Sequence, residues 1–347
     1  MASAPPEGPS TVLVGSFSGI RNTVSEKRLK QDELVAAVNV DIDDAGQLRR
    51  RRGRTQLNAL PHHSLKQLGD WVLVVRENML GWLRARAAFE PLVEVGPAPL
   101  SYVRIADTVY FASRTTSGKI VDGRALPWGT EGAGQWVSPV TRPTETLGAI
   151  GGRQLTAPPH AAHLAAYKGR IYLAEGRVLW ATELYLYDLV DRTRNFMSLE
   201  ADITMIAPVG DGLYVGTTTE LLFLQGTLHD GFKLTHVTDS GVVPGSLVTV
   251  PYAKAMPQAR NGPVPERSGP MFMTNDGILI GLDGGNAYNL TQDHVVFPSA
   301  RGAAALYRED AGANAYVAVA DSAGGPSANA RIGDYVDAEI VRAAQRG

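Results

Sequence analysis

Short apolar strand patterns punctuated by turn residues recur along the chain, and the best formed is Asp211-Gly212-Leu213-Tyr214-Val215-Gly216-Thr217. An Asp-Gly turn leads into a few apolar residues and a glycine-led exit, the pattern of a short strand between tight turns. Such a unit cannot bury its own apolar faces, so it needs neighbours of the same kind. Similar units lie at 69–75, 106–112, 168–174, 276–282 and 312–318. Their central residues are Leu73, Tyr110, Tyr172, Tyr214, Leu279 and Tyr316, with steps of 37, 62, 42, 65 and 37 residues. A period near 40 with one such unit per repeat predicts an all-β β-propeller of about six blades. The two long steps carry Gly- and Pro-rich insertions, Gly129 to Pro159 and Ala253 to Pro270, and loops of that length in a compact domain serve binding or assembly.

The intervening segments fill out the blades. Segments 65–68, 71–75, 79–85 and 89–95 read as one four-stranded blade, and 205–209, 212–216, 220–225 and 232–237 as the cleanest one. The insertion Glu183 to Arg194, with Leu184, Tyr185, Leu186, Tyr187 and Leu189, reads as a strand or a short helix. A sixth blade begins with 303–308 and 315–320. Its last two strands are less distinct, with Tyr335 to Gln345 reading as a helical turn or a terminal strand. The chain divides into an N-terminal arm and hairpin (1–60) and the propeller (61–347). Within the first part, Val38, Val40 and Ile42 alternate on one face of a strand that turns at 43–46 and returns through Leu48 and Arg49 to Arg52. Residues 25–33 hold at most one or two helical turns. Either 11–17 or 38–42 is placed to close the ring by pairing into the last blade.

The order Gly19, Asn22, Glu33, Ala36-Ala37-Val38-Asn39-Val40-Asp41-Ile42, Gly46 and Leu48-Arg49-Arg50-Arg51-Arg52-Gly53 resembles the N-terminal signature of bacteriophage β-propeller virion proteins. These are similar to the tail nozzle or hub proteins of short-tailed phages. A second similar stretch runs Val237-Thr238-Asp239-Ser240-Gly241-Val242, then 271–281 and Tyr288-Asn289-Leu290-Thr291, in the place of a late blade. The resemblance is strongest over residues 15–57. It implies a structural virion component in the tail or at the head-to-tail junction, made in the host bacterial cytoplasm. It also implies a homohexameric ring around the DNA path, with other tail or portal-adaptor proteins as partners and DNA contact without sequence specificity.

Composition narrows the chemistry. The formal net charge of -2 excludes a surface built throughout for nucleic acid and leaves room for a local basic patch. No apolar run approaches the roughly 20 residues needed to span a bilayer, so no membrane partner is expected. The first ten residues lack the basic-then-apolar order of a secretory signal. Without cysteine there is no disulfide framework or thiolate chemistry. Arg49, Arg50, Arg51, Arg52 and Arg54 form the densest charge cluster, with two readings: phosphate contacts to passing DNA, or solvent-facing edge residues that meet Asp41, Asp43 and Asp44 across the hairpin. His160-x-x-His163 and His62-His63 lack the further ligands zinc requires. Asp211-Gly212, Asp276-Gly277 and Asp283-Gly284 are explained by turns, because no calcium-loop pattern surrounds them. No nucleophile elbow, Walker loop or zinc-protease motif occurs, so neither an enzyme nor a cofactor is expected. The alternative function is a propeller adhesin or glycan-binding protein of the phage tail, with aromatic stacking at Trp71, Trp82, Trp128, Trp136, Trp180 or 185–188.

Overall fold

The computed structural model describes residues 16–256 apart from 39, 44, 51–58, 70, 85–87 and 130–154, and residues 267–322 apart from 293, 296, 298, 311 and 312. The fold is an all-β propeller. Five four-stranded antiparallel sheets follow one another in sequence. Blade 1 comprises His62–Leu68, Trp71–Arg76, Met79–Leu83 and Phe89–Glu94; blade 2 comprises Ser101–Ile105, Thr108–Ala112, Ser117–Val121 and Arg124–Pro127. Blade 3 is His163–Tyr167, Arg170–Glu175, Val178–Ala181 and Phe196–Ser198; blade 4 is Ile203–Pro208, Gly212–Thr217, Leu221–Gln225 and Lys233–Thr238. Blade 5 is Val248–Pro251, Ser268–Thr274, Gly277–Gly281 and Ala287–Asn289.

The expected count of about six becomes five four-stranded blades among the described residues. At the sixth position stands a long two-stranded hairpin, Ala300–Asp310 with Ala313–Ser322. The region 335–345, read as a final strand or helical turn, lies outside the described residues. The repeat at Leu279 also shifts: Leu279 sits on the third strand of blade 5, whereas Leu73, Tyr110, Tyr172 and Tyr214 sit on second strands. The Asp276-Gly277 turn opens the third strand of its blade and Asp211-Gly212 the second, so the same local signal marks two places in the repeat.

Why these strands need one another is visible in their alternation. In blade 2, Val109 and Phe111 pack with Leu73, Val75 and Leu80 of blade 1, while Tyr110 and Ala112 pack with Leu164, Ile171 and Leu173 of blade 3. In blade 3, Tyr172 and Ala174 turn the other way, toward Ile206, Leu213 and Val215 of blade 4. Tyr214 then joins Phe272 and Leu279 of blade 5, and Met271, Met273, Ile278 and Ile280 meet Tyr316 and Ala318 of the hairpin. Each of the five buried clusters thus lies between consecutive sheets, and successive side chains of one strand point into different clusters. Among the described residues, no buried cluster joins the hairpin to blade 1.

The repeated tyrosine is the contact that crosses. The Tyr214 hydroxyl lies 2.6 Å from Leu282 O and 2.7 Å from Asn286 O, both in blade 5. Tyr110 packs against Trp128 and against Tyr187 of the blade 3 insertion at ring separations of 5.2 and 6.1 Å, and Tyr172 against Phe232 of blade 4 at 5.9 Å. Tyr316 reaches in the reverse direction, donating to Ser246 O at 2.6 Å. Polar stitches add to these contacts. Leu100 N donates to Ser64 Oγ at 2.7 Å, linking blade 1 to blade 2, and Leu164 N to Ser101 Oγ at 2.9 Å, linking blade 2 to blade 3. Glycine at 212 lets the far edge of the Phe223 ring and the Leu224 carbonyl approach the strand, in space that a Cβ would occupy.

The N-terminal hairpin forms as expected, Val40–Ile42 with Leu48–Arg50, and the polar stretch holds one short helical turn at Glu26–Arg28. The expected pairing of 38–42 into the last blade is not seen among the described residues. The hairpin is instead tied by a side chain, Arg308 Nη2 meeting Asp41 Oδ2 at 3.1 Å, while upstream of it the backbone Asn22 N donates to His294 O at 3.0 Å. Residues 11–15 of the other candidate closing strand lie outside the described residues.

Tyr214→Phe removes a buried donor from two carbonyls and is expected to cost about 1–3 kcal/mol, while Tyr214→Ala, which also opens a cavity, is expected to cost about 3–5 kcal/mol. Urea unfolding curves of the two variants check the order and the size of these losses.

Candidate assembly face

Strand order sorts the loops into two ends. Within each antiparallel blade the first-to-second and third-to-fourth turns lie at one end, and the second-to-third turns and the crossings to the next blade lie at the other. Bonds between turns agree: Gly210 of blade 4 meets Asp283 of blade 5 at the first end, and Asn275 N reaches Gly241 O at the second. The first end carries the insertion 183–194, the described stems of the loop 253–270 and, through Lys254 and Glu309, the adjoining part of the hairpin strand Ala300–Asp310. Through Asp41 and Arg308 it also holds the arginine-bearing N-terminal hairpin.

The loop 253–270 has a rigid base. Tyr252 N donates to Arg267 O at 3.0 Å and the Tyr252 hydroxyl to Gly281 O at 2.6 Å. Arg267 forms an ion pair with Asp283. Asp283 Oδ1 accepts from Gly210 N at 2.9 Å, while both carboxylate oxygens of Asp211 accept from Gly284 N at 3.1 Å. Gln225 Nε2 donates to Asp211 Oδ2 at 2.9 Å. Each aspartate therefore caps the other's turn across the blade 4–blade 5 junction. The sequence reading of these Asp-Gly pairs as plain turns missed this reciprocal clasp, since the partners are about 70 residues apart and no local spacing announces them.

The other insertions brace one another. Leu155–Thr156, at the end of the 129–159 insertion, pairs with Val190–Asp191 of the blade 3 insertion. Lys119 Nζ lies 2.8 and 2.9 Å from the two carboxylate oxygens of Asp188, with both side chains close to fully buried, and Trp128 Nε1 donates to Tyr187 O at 2.9 Å. Burial, first, and then Asp188 and Tyr187 push the Tyr110 phenol well above its ordinary range. Further along, Asn195 Nδ2 donates to Glu183 Oε1 at 2.6 Å, and Asp191 Oδ1 accepts from Thr193 N at 2.9 Å and Thr193 Oγ1 at 2.6 Å. The segment 183–194 is mostly turns, with Val190–Asp191 its strand pair, so the expected strand or short helix reduces to that pair. Tyr185 holds a left-handed backbone, φ 58°, and its ring lies over Gly169, 2.7 Å from where a Cβ would stand; the φ of 73° at Gly169 independently favours glycine. Tyr185 and Leu184 are left exposed.

Of the arginine cluster, Arg49 and Arg50 are described and exposed; Arg51, Arg52 and Arg54 lie outside the described residues. Arg49 pairs with Asp43 at 2.7 Å, the cross-hairpin partnership named for the edge-strand reading. Backbone N–H donors of Gln47 and Ala45, together with Arg49, hold the Asp43 carboxyl below its usual range. Trp128 is 3% exposed and belongs to the core, which removes it as a sugar platform, and Trp136 lies outside the described residues. His160 Nδ1 lies 3.0 Å from Ser117 Oγ. His163 is partly buried, and desolvation first and then the charge of Arg114 push its imidazole down to about 4. Among the described residues no group of three or more His, Asp or Glu gathers as a metal site.

No family model matches the chain, and no curated protein matches it. Solved structures similar to it are propellers of varied kinds at low identity. The extracellular domain of BT4673 from B. thetaiotaomicron is 12% identical over 75% of this chain with a TM-score of 0.44; the chain spans only 31% of that one. The N-terminal domain of Nup159 is 10% identical, with 74% of this chain and 72% of that chain covered and a TM-score of 0.43. A gluconolactonase from Xanthomonas campestris is 12% identical, with 72% and 79% covered and a TM-score of 0.39.

Lys119→Met leaves the Asp188 charge buried without its partner and is expected to cost about 3–5 kcal/mol; adding Asp188→Leu should recover most of it, as denaturant titrations of the single and double variants would show. His163 has a folded pKa below its unfolded value, so its contribution is present above about pH 6.5. It is lost as pH falls toward 4, at up to about 1.4 kcal/mol per pH unit. His163→Gln should flatten that part of the stability–pH curve.

Proposed function

We propose that this protein is a structural component of a bacteriophage virion, a tail nozzle or hub or a head-to-tail element that assembles as a ring around the DNA path. The observation that carries this reading is the similarity of residues 15–57 to the N-terminal signature of propeller virion proteins. It is supported by where part of that signature lies: Asp41 and Asn22 bond to Arg308 and His294, late in the propeller, and Arg49 and Arg50 remain exposed. A rigid propeller whose insertions 183–194 and 253–270 both leave from the first end, with 129–159 entering from the crossing between blades 2 and 3, suits a ring component, because subunits that meet head to tail need fixed, non-identical surfaces. Six copies, contacts to other tail proteins and non-specific phosphate contacts from the arginine strand belong to the same proposal.

Deleting residues 1–57 is expected to leave a folded propeller, destabilised by about 1–2 kcal/mol through loss of the Asp41–Arg308 pair and the Asn22 bond, and to abolish incorporation into particles. Circular dichroism reads the first and electron microscopy of purified particles the second. Unimpaired particles carrying the truncated chain would overturn the assignment.

A further inference from the structure

The two ends of the propeller carry opposite exposed charge around blade 3. At the first end, the insertion 183–194 sorts its charges by burial. Its three carboxylates, Glu183, Asp188 and Asp191, are buried and accept from Asn195, Lys119 and Thr193. Its two guanidiniums, Arg192 and Arg194, are exposed, as is Lys168 in the adjoining turn. Tyr185 N donates to Gly169 O at 2.8 Å and so holds the insertion to that turn. Among the described residues none of the three cations forms an ion pair. At the second end, backbone bonds join the turns and crossings of blades 3–5: Ile203 N to Gly176 O at 2.9 Å, Thr218 N to Asp202 O at 3.0 Å and Asn275 N to Gly241 O at 3.2 Å. Along this line stand Glu200, Asp202, Asp239 and Asp276, all exposed. Asp239 meets His236 at 3.0 Å, and the other three form no ion pair. Arg177 is the single exposed cation in these turns and crossings among the described residues.

From this charge distribution we infer an interface between copies of this chain, in which the first end of blade 3 docks against the second end of blades 3–5 of the next copy. The occupant follows from complementarity. Exposed cations without acidic partners attract an anionic surface, and this chain carries one at its other end. Like ends therefore repel and unlike ends attract, which selects a second copy in one orientation. The contact is heterologous, the kind that propagates around a ring. Leu184 and Tyr185, both exposed in the same insertion, give the cationic surface an apolar centre, and tyrosine with arginine is the pairing that carries energy at protein interfaces. The insertion is already braced by the Lys119–Asp188 pair and by the pairing of Val190–Asp191 with Leu155–Thr156, so docking needs little further ordering. This inference supplies contact surfaces for the ring proposed above and rests on that reading only for the closure of the ring.

Sedimentation velocity of the purified full chain, over a range of protein and salt concentrations, tests it. Self-association at low salt that weakens as salt screens the contact is expected. Two double variants separate the ends: Arg192→Glu with Arg194→Glu reverses the first end, and Asp202→Lys with Asp276→Lys reverses the second. Each alone should self-associate about tenfold or more weakly than the parent chain. Mixed in equal amounts they should associate again, because the acidic first end of one then meets the basic second end of the other. All four positions are exposed, and circular dichroism checks that each variant is folded. A parent chain that stays monomeric at every condition, association that neither variant weakens, or a mixture that stays monomeric would overturn the interface. In the first of these cases, binding of a DNA oligonucleotide that the first-end variant loses would assign the cations to nucleic acid instead. Failure here leaves the virion assignment standing, since that is read from particles carrying the 1–57 deletion.

Discussion

A four-stranded sheet whose two faces are both apolar is stable only when both are covered, and that requirement organises this protein. The second strands carry runs such as Val109 to Ala112, Ile171 to Ala174 and Leu213 to Val215, all buried. Their side chains alternate between the blade before and the blade behind, so no sheet has a core of its own. Removing apolar surface from water is worth about 25 cal/mol per Å² and favours such stacking, and a tyrosine of the repeat adds a directed hydrogen bond or ring contact across every junction after the one between blades 1 and 2. Tyr214 both fills the blade 4–blade 5 gap and donates to blade 5 backbone. Packing and polar satisfaction are met there by one side chain.

The junctions also carry charge, and they do so where the chain departs from the repeat. Lys119 with Asp188, Asn195 with Glu183, and Arg267 with Asp283 all lie at or beside the insertions. Desolvating such groups is costly unless each has its partner, so these positions tolerate few arrangements. The consequence is geometric: the stems of the long loops are held in fixed positions while the blades supply the bulk of the stability. A protein that must present several different surfaces at one end of a rigid body has use for that division. The virion proposal draws on it.

The sequence was most informative where the physics is local. Turn residues at Asp211-Gly212 and Lys168-Gly169, with short apolar runs after them, located the strands, and the period located the blades. The same local signal misled at Asp276-Gly277, because a tight turn is chemically alike whether it opens a second or a third strand. Of the two readings the sequence left open for the arginines, the pairing of Arg49 with Asp43 follows the solvent-facing one, because that acidic partner lies in the turn of the same hairpin.

The chain by itself determined the class of fold, since alternation, turn chemistry and a repeat near 40 residues are all properties of neighbouring residues. Tertiary structure alone decided the rest. Five complete blades and a hairpin among the described residues, the direction each tyrosine faces, the burial of Trp128 against the exposure of Trp71, and the pairing of Lys119 with Asp188 depend on residues tens of positions apart. Their proximity is set by how whole sheets stack, and no spacing along the chain encodes which face of a strand meets which neighbour.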